Sequence, residues 1–165
     1  MEYTSAQANK LLKKLQEEHE DLLNVERQSY FFVAATTEDI ELARPAYDYA
    51  KVQEKLLDLE KQIRHVKHCI NVFNTTNIVE GFDMTIDQIL VYIPQLTRQK
   101  EKLGFMASSL EKKRLTNTNR TNLIEYQFAN YDLKKVQEDY AAVSDELTRA
   151  QIALDRINTT KTMEI

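Results

Sequence analysis

Glycine and proline are almost missing from this chain, with two of each among 165 residues. So little punctuation argues against a loop-rich or all-β fold. Tryptophan is absent, and aromatics make up 8% of residues. The one cysteine, Cys69, has no partner for an internal disulfide, which favours a reducing compartment. Met1 to Gln7 contains no basic stretch followed by an apolar run, so no secretory signal is read there. Nor does any uninterrupted apolar segment approach the roughly 20 residues of a spanning helix. A cytoplasmic protein is expected, in which the sequons at Asn74, Asn119 and Asn158 are incidental. Positive charge is not in excess: the net charge is -4 at pH 7, which gives no footprint for a phosphate backbone. Neither nucleic acid nor a membrane is an expected partner.

What the chain does contain is a repeat at an offset of 84 residues. Thr37-x-x-Ile40-Glu41 recurs as Thr121-x-x-Ile124-Glu125, and Tyr47-Asp48-x-x-Lys51-Val52-Gln53-Glu54 as Tyr131-Asp132-x-x-Lys135-Val136-Gln137-Glu138. Asn74-Thr75-Thr76 returns as Asn158-Thr159-Thr160. An ungapped recurrence of this kind points to duplication of one structural unit. The expected organisation is a single domain built from two repeats, about 1–81 and 82–165.

Periodicity supplies the fold class. Val52, Leu56, Leu59, Ile63, Val66, Ile70 and Phe73 step by alternating fours and threes, an a/d stripe over three heptads. Val136, Tyr140, Val143, Leu147, Ala150, Leu154 and Ile157 repeat those steps. Each stripe needs a partner helix. Leu11, Leu12, Leu15, Leu22, Leu23 and Val25 predict one from about Ser5 to Tyr30, with Thr4 or Ser5 as N-cap. Ile86, Ile89, Leu90, Ile93, Leu96, Leu103, Met106 and Leu110 predict another, capped by Thr85 and ending in Lys112-Lys113-Arg114, where cations suit the helix dipole. Pro94 should bend or interrupt that helix; its counterpart at the same offset, Lys10, would not. The predicted fold is all-α: two long helical hairpins, related by duplication, in an elongated antiparallel four-helix bundle or coiled coil. A helix of 28 residues would run about 42 Å.

The connections are less regular. Leu123 to Phe128 alternates apolar and polar residues as a strand would, and Asp39 to Leu42 does so more briefly. A pseudo-twofold axis would let the two connections pair as a minimal sheet supported by helices. Asp48 and Asp132 then stand where helices restart, as caps. Tyr30, Phe31, Phe32 and Val33 form an apolar run with little to cover it in so thin a bundle. They are the residues expected to make partner or self-contacts, unless they fold back onto the bundle end.

Ile70-Asn71-Val72-Phe73-Asn74-Thr75-Thr76-Asn77, then Glu80-Gly81 and a helix starting at Thr85, resembles the septicolysin-like family of small bacterial helical proteins. The ending Ala153-Leu154-Asp155-Arg156-Ile157-Asn158-Thr159-Thr160 is similar to that family's terminal Asn-x-Thr-Thr segment. The match covers about the last hundred residues well and the first half weakly. The resemblance implies an all-helical, self-associating protein without an established biochemical activity. The family label suggests a cytolysin, although neither an export signal nor a bilayer-entering segment is visible. Pro94 departs from the family's uninterrupted helix.

Chemical candidates are few. His65-x-x-His68-Cys69 places three metal-ligating side chains within one and a half turns. With Val66 and Ile70 in the stripe, however, both histidines point outward and Cys69 lies on the flank. No metal site is therefore expected, and these are the residues that would form one. The Glu-x-x-His pairs of di-iron bundles are absent, because Gln16, Gln62 and His65 stand three residues before the histidines. His19, among Leu12, Leu15, Leu22 and Leu23, reads as a hydrogen-bonded core or interface histidine, or a pH sensor. Asn74, Thr75, Thr76, Asn158, Thr159 and Thr160 read as helix-ending caps, or as polar ligand positions. Thr116 to Arg120 reads as a solvated loop. Gly81 and Gly104 are isolated, and no nucleophile turn or phosphate loop exists. Neither a catalytic set nor a cofactor is implied. A self-associating structural or interaction protein is the expectation; a membrane-active toxin and a metal-binding helical protein are the alternatives.

Overall fold

A computed structural model describes residues 1–115 and 124–165. The Thr116–Arg120 loop, with its Asn119 sequon, and Thr121 and Leu123 of the expected repeat and strand lie outside the described residues. In chain order the elements are β1 (Glu2–Thr4), α1 (Ser5–Ser29), α2 (Ile40–Ala43), α3 (Tyr49–Thr76), β2 (Ile78–Val79), β3 (Met84–Thr85), α4 (Ile86–Ala107), β4 (Lys112–Arg114), β5 (Tyr126–Phe128), α5 (Leu133–Thr160) and β6 (Thr162–Glu164). The protein is mostly helical, with small antiparallel two-stranded sheets. Two compact units divide it: residues 1–76 with 158–165, and residues 77–157. The boundaries thus differ from 1–81 and 82–165, chiefly in the placing of residues 158–165.

In the first unit α1 and α3 run antiparallel, since Glu26 meets Gln53 while His19 meets Glu60. The predicted stripe of α3 is its packed face: Leu56, Val66, Ile70 and Phe73 are buried, and Val52, Leu59 and Ile63 are half-buried. Ala8 and Leu15 are the buried apolar residues of α1. That helix starts on a capping box, in which the Thr4 hydroxyl accepts from the Gln7 N–H and the Gln7 side chain accepts from the Thr4 N–H.

The second unit repeats the logic with α4 and α5. Ile86, Ile89, Leu96 and Leu103 are buried on α4, and Val136, Leu147, Ala150 and Ile157 on α5. Leu96, Leu147 and Ala150 form a core cluster with Phe82, Tyr92, Ile93 and Val143 packed against it. The Tyr140 ring lies so close to Gly104 that a Cβ there would come within 3.1 Å of it. Burial first, and then the Glu146 carboxylate at 3.4 Å, raises the pKa of the Tyr92 hydroxyl.

The repeated Tyr-Asp-x-x-Lys-Val-Gln-Glu segment starts α3 and α5 and holds them to α1 and α4. Asp48 accepts from the Lys51 N–H, and Asp132 from those of Lys134 and Lys135, so both aspartates are caps. In the first unit Tyr47 and Gln53 both donate to Glu26 Oε1, each at 2.7 Å. In the second, Tyr131 donates to the Met106 carbonyl at 3.0 Å and Gln137 to that of Ala107 at 3.4 Å. The Glu26 hydrogen bond, then burial, pushes the Tyr47 pKa up to about 12.

At the other ends of these helices lie two short ladders. In the first unit β1 pairs with β6, placing Tyr3 opposite Met163 and Thr4 opposite Thr162. In the second β2 pairs with β3, placing Met84 opposite Val79 and Thr85 opposite Ile78. Each ladder leads into a threonine-headed helix. At Thr85 the side chain of Gln88 accepts from the backbone N–H, and the Thr85 hydroxyl donates to Asp87. The β2–β3 turn requires Gly81, whose φ of +85 would strain any side chain.

Several expectations are corrected. The third long helix does not run to Arg114. It stops at Ala107, where the Ser108 and Ser109 hydroxyls both donate to the Phe105 carbonyl. Lys112–Arg114 instead pair with Tyr126–Phe128, so the expected strand near Phe128 pairs locally and not with residues 39–42. Residues 40–43 form one helical turn, because Asp39 accepts from the Glu41 N–H and Arg44 grips Glu41. Pro94 does not interrupt α4. Both it and Leu90, whose carbonyl loses a donor, are exposed, so water can take the missing partner's place.

Ile89→Ala, which empties a fully buried position, should cost about 3 kcal/mol of stability by urea unfolding. Leu57→Ala on the outer face of α3, where the residue is 63% exposed, should stay within about 0.5 kcal/mol. Tyr47 makes a pH prediction. Its folded pKa is raised, so its hydrogen bond stabilises fully below about 10 and is lost as pH climbs through about 12. Ultraviolet titration should show a phenolate near 12 that is lost in Tyr47→Phe, while Tyr92 still titrates above the ordinary tyrosine value. If that substitution leaves the titration near 12 intact, the bond to Glu26 is absent in solution.

Candidate interaction surface

Past the end of α1, residues 30–48 of the first unit turn the chain toward α3. Tyr30 closes α1 by donating its N–H to the Glu26 carbonyl at 3.0 Å, and its ring meets Phe31 edge-on with centroids 4.8 Å apart. Phe31 is 83% and Val33 95% exposed. Phe32 is half-buried, with the Arg44 guanidinium 5.2 Å from its ring centre. Only one of the four expected contact residues is therefore covered by folding back. Ile40 and Leu42 on α2 add further exposed apolar area. Charge at this tip is acidic. Glu38 accepts from the Ala35 N–H and Asp39 from the Glu41 N–H, both at 2.9 Å. Glu41 is paired with Arg44; the hydrogen bond first, and then the opposite charge, lowers the carboxyl pKa and raises that of the guanidinium.

Between α1 and α3 runs a groove of about 740 Å³ whose lining includes Leu22, Val25, Leu59, Glu18, Asp21 and Asp58. His19 lies on a neighbouring hollow with Glu60 and Arg64. Its buried Nε2 has no hydrogen-bond partner, because Glu60 Oε1 stands 3.6 Å away. The hydrogen bond expected of this half-buried histidine is therefore not made at Nε2, although Glu60 lies within ion-pair distance.

The second unit has a different tip. In the β4–β5 hairpin, Lys112 lies opposite Phe128 and Arg114 opposite Tyr126. The Lys112 ammonium stands 4.2 Å from the Tyr126 ring centre and 5.4 Å from that of Phe128. Beside the hairpin is a cavity of about 590 Å³ whose lining includes Phe105, Met106, Leu110, Lys113, Phe128 and Tyr131. Sequence reading missed this surface by treating the three cations as a helix end. The Ser108-Ser109 pair was the available sign that the helix stops earlier.

The remaining candidates are dispersed. His65 and His68 are exposed and Cys69 half-buried, with its sulfur 3.9 Å from His65 Nε2. Among the described residues no group of three or more His, Cys, Asp or Glu is placed to hold a metal ion. Asn74, Thr75 and Thr76 form the last turn of α3, and Asn158, Thr159 and Thr160 that of α5. The threonine hydroxyls of the first set are spent on their own helix: Thr75 donates to the Asn71 carbonyl and Thr76 to that of Val72. Neither asparagine adopts a left-handed backbone; among the described residues only Asp83 and Gly81 have positive φ. The Asn158 Oδ1 atom is buried without a hydrogen-bond partner. Also among the described residues, no helix is long and apolar enough to cross a membrane.

Comparison with known proteins gives a fold without an activity. No family model matches the chain, and no curated protein matches it. A solved structure does: the crystal structure of a functionally unknown conserved protein from Corynebacterium diphtheriae, at 15% identity and a TM-score of 0.60. The match covers 99% of this chain and 100% of that one. At this identity the likeness establishes a shared fold.

Proposed function

We propose that this chain is a structural or interaction protein that associates with copies of itself through the apolar residues at the loop end of its first unit. The observation that carries the reading is the exposure of Phe31 and Val33, beside Tyr30, at a point where no other element of that unit covers them. Apolar surface left open at a helix-pair end costs solubility unless something covers it. Aromatic side chains are favoured anchors for such contacts. The resemblance to the septicolysin-like family, whose members self-associate, points the same way.

The internal duplication belongs to the same proposal. Ser5, Ala8 and Leu15 are buried in α1, and Ile86, Ile89 and Leu96 are buried in α4 at a constant offset. In α3 and α5 the pairs Val66 and Ala150, and Phe73 and Ile157, are buried at the offset of the sequence repeat. The short ladders agree as well, since Val79 opposite Met84 corresponds to Met163 opposite Tyr3. In this alignment Pro94 corresponds to Lys13, not Lys10, because the connection between the helices differs in length.

Light scattering over a concentration series tests the association. The wild-type chain should exceed 19.3 kDa. Phe31→Asp with Val33→Asp, which leaves Phe32 under Arg44, should return it to that mass with its helical circular dichroism intact. An unchanged assembly in the folded double variant would reject these residues as the contact.

A further inference from the structure

We infer that the self-association is heterologous: the acidic, apolar tip of the first unit docks on the basic β4–β5 hairpin of a second copy. The inference rests on the self-association proposed above and names the surface that receives Phe31.

Two uncovered surfaces on one chain carry opposite charge. Ile40 and Leu42 flank Asp39 and Glu41 on α2, and Phe31 and Val33 precede them. The carboxylates of Glu38 and Asp39 are held by backbone N–H donors and form no ion pair among the described residues. On the hairpin, Lys112, Lys113 and Arg114 outnumber the flanking exposed carboxylates Glu111 and Glu125 and hold no ion pair among the described residues; Lys112 rests over aromatic rings instead. Tyr126 is 43% and Phe128 63% exposed there. Beside them lies the cavity lined in part by Phe105, Met106, Lys113 and Phe128.

Charge selects the mode of association. A tip-on-tip contact would bring together two patches in which Glu38, Asp39 and Glu41 outnumber Arg44. A hairpin-on-hairpin contact would do the same with three cations. Like charges facing each other across an interface oppose assembly, whereas opposite charges speed encounter and fix the register. The self-complementary arrangement is therefore tip on hairpin. An exposed aromatic or aliphatic side chain, Phe31 foremost, enters the cavity against Phe105, Met106 and Phe128, past its polar residues Ser108, Ser109 and Gln127, while Glu38 and Asp39 meet Lys112 and Lys113. Contacts of this class propagate head to tail, into a ring if the rotation closes and a filament if it does not.

The test uses the full chain in two charge-reversed forms. One carries Lys112→Glu, Lys113→Glu and Arg114→Glu, and the other Glu38→Lys and Asp39→Lys. Each alone should sediment at 19.3 kDa, because its two surfaces now repel. Mixed together they should reassemble, since each tip finds a hairpin of opposite sign. If the wild type associates and either variant alone reaches the same mass, the heterologous contact is wrong while self-association stands. A wild type that stays monomeric at every concentration overturns both. Neutral substitutions, Glu38→Gln with Asp39→Asn, keep the local hydrogen bonds and guard against misfolding. They should weaken association by about tenfold and flatten its salt dependence; an unchanged association would again reject the contact.

Discussion

A stripe of apolar side chains on a helix is stable only against another surface of the same kind, and this constraint places nearly everything else in the protein. α3 and α5 are each 28 residues long and apolar along one narrow face. In the first unit α1 covers that face, and in the second α4 does. With the stripe committed to the partner helix, the remaining faces are left to charge. Lys13 with Glu17, Lys14 with Glu18, and Lys135 with Asp139 lie at one-turn spacing on the outside. Exposed pairs of this kind add little stability. Their role is to keep the outer faces wet. His65 and His68 are outward for the same reason: Val66 and Ile70 occupy the buried phase of the helix.

A regular stripe fixes which face packs but not how far along it packs, since sliding by a heptad restores most apolar contacts. The register must come from contacts that do not repeat. In the first unit Tyr47 and Gln53 converge on a single carboxylate oxygen of Glu26. In the second Tyr131 and Gln137 reach the closing carbonyls of α4. Different acceptors satisfy the same donors, which explains why the donor segment recurs in sequence while its partners do not. The short ladders fix the opposite ends. The most conspicuous motif in the chain therefore holds helices in register, and its tyrosines and glutamines have a full physical account without any chemistry.

What could be read from the sequence was what has a period. The stripes of α3 and α5, the outward histidines and the caps at Thr4, Asp48 and Asp132 all depend on residues within a turn or two of each other. The misread parts depend on contacts between distant residues or on runs too short to show a period. Apolar spacing continued through Met106 to Leu110, so the end of α4 was masked until the serine hydroxyls and the strand at residues 126–128 were taken into account. Strands of two or three residues have no alternation to detect. Among the residues expected to make contacts, the exposure of Phe31 followed from an apolar run with nothing complementary nearby. The cover over Phe32 did not, because Arg44 reaches it through an intervening loop.

Net charge also proved a coarse guide. An overall value of -4 removes the expectation of a polyanionic partner, but it averages over surfaces that a solvent ion atmosphere keeps apart. At physiological salt the screening length is about 8 Å, so a bound segment responds to the groups within a few side chains of it and hardly to the total. The loop end of the first unit presents carboxylates beside exposed aliphatic and aromatic side chains, and the hairpin of the second presents cations beside exposed rings. Both lie where one helix of a pair gives way to the next, beyond the face that the partner helix covers. Charge of one sign at such a point keeps identical tips from sticking together.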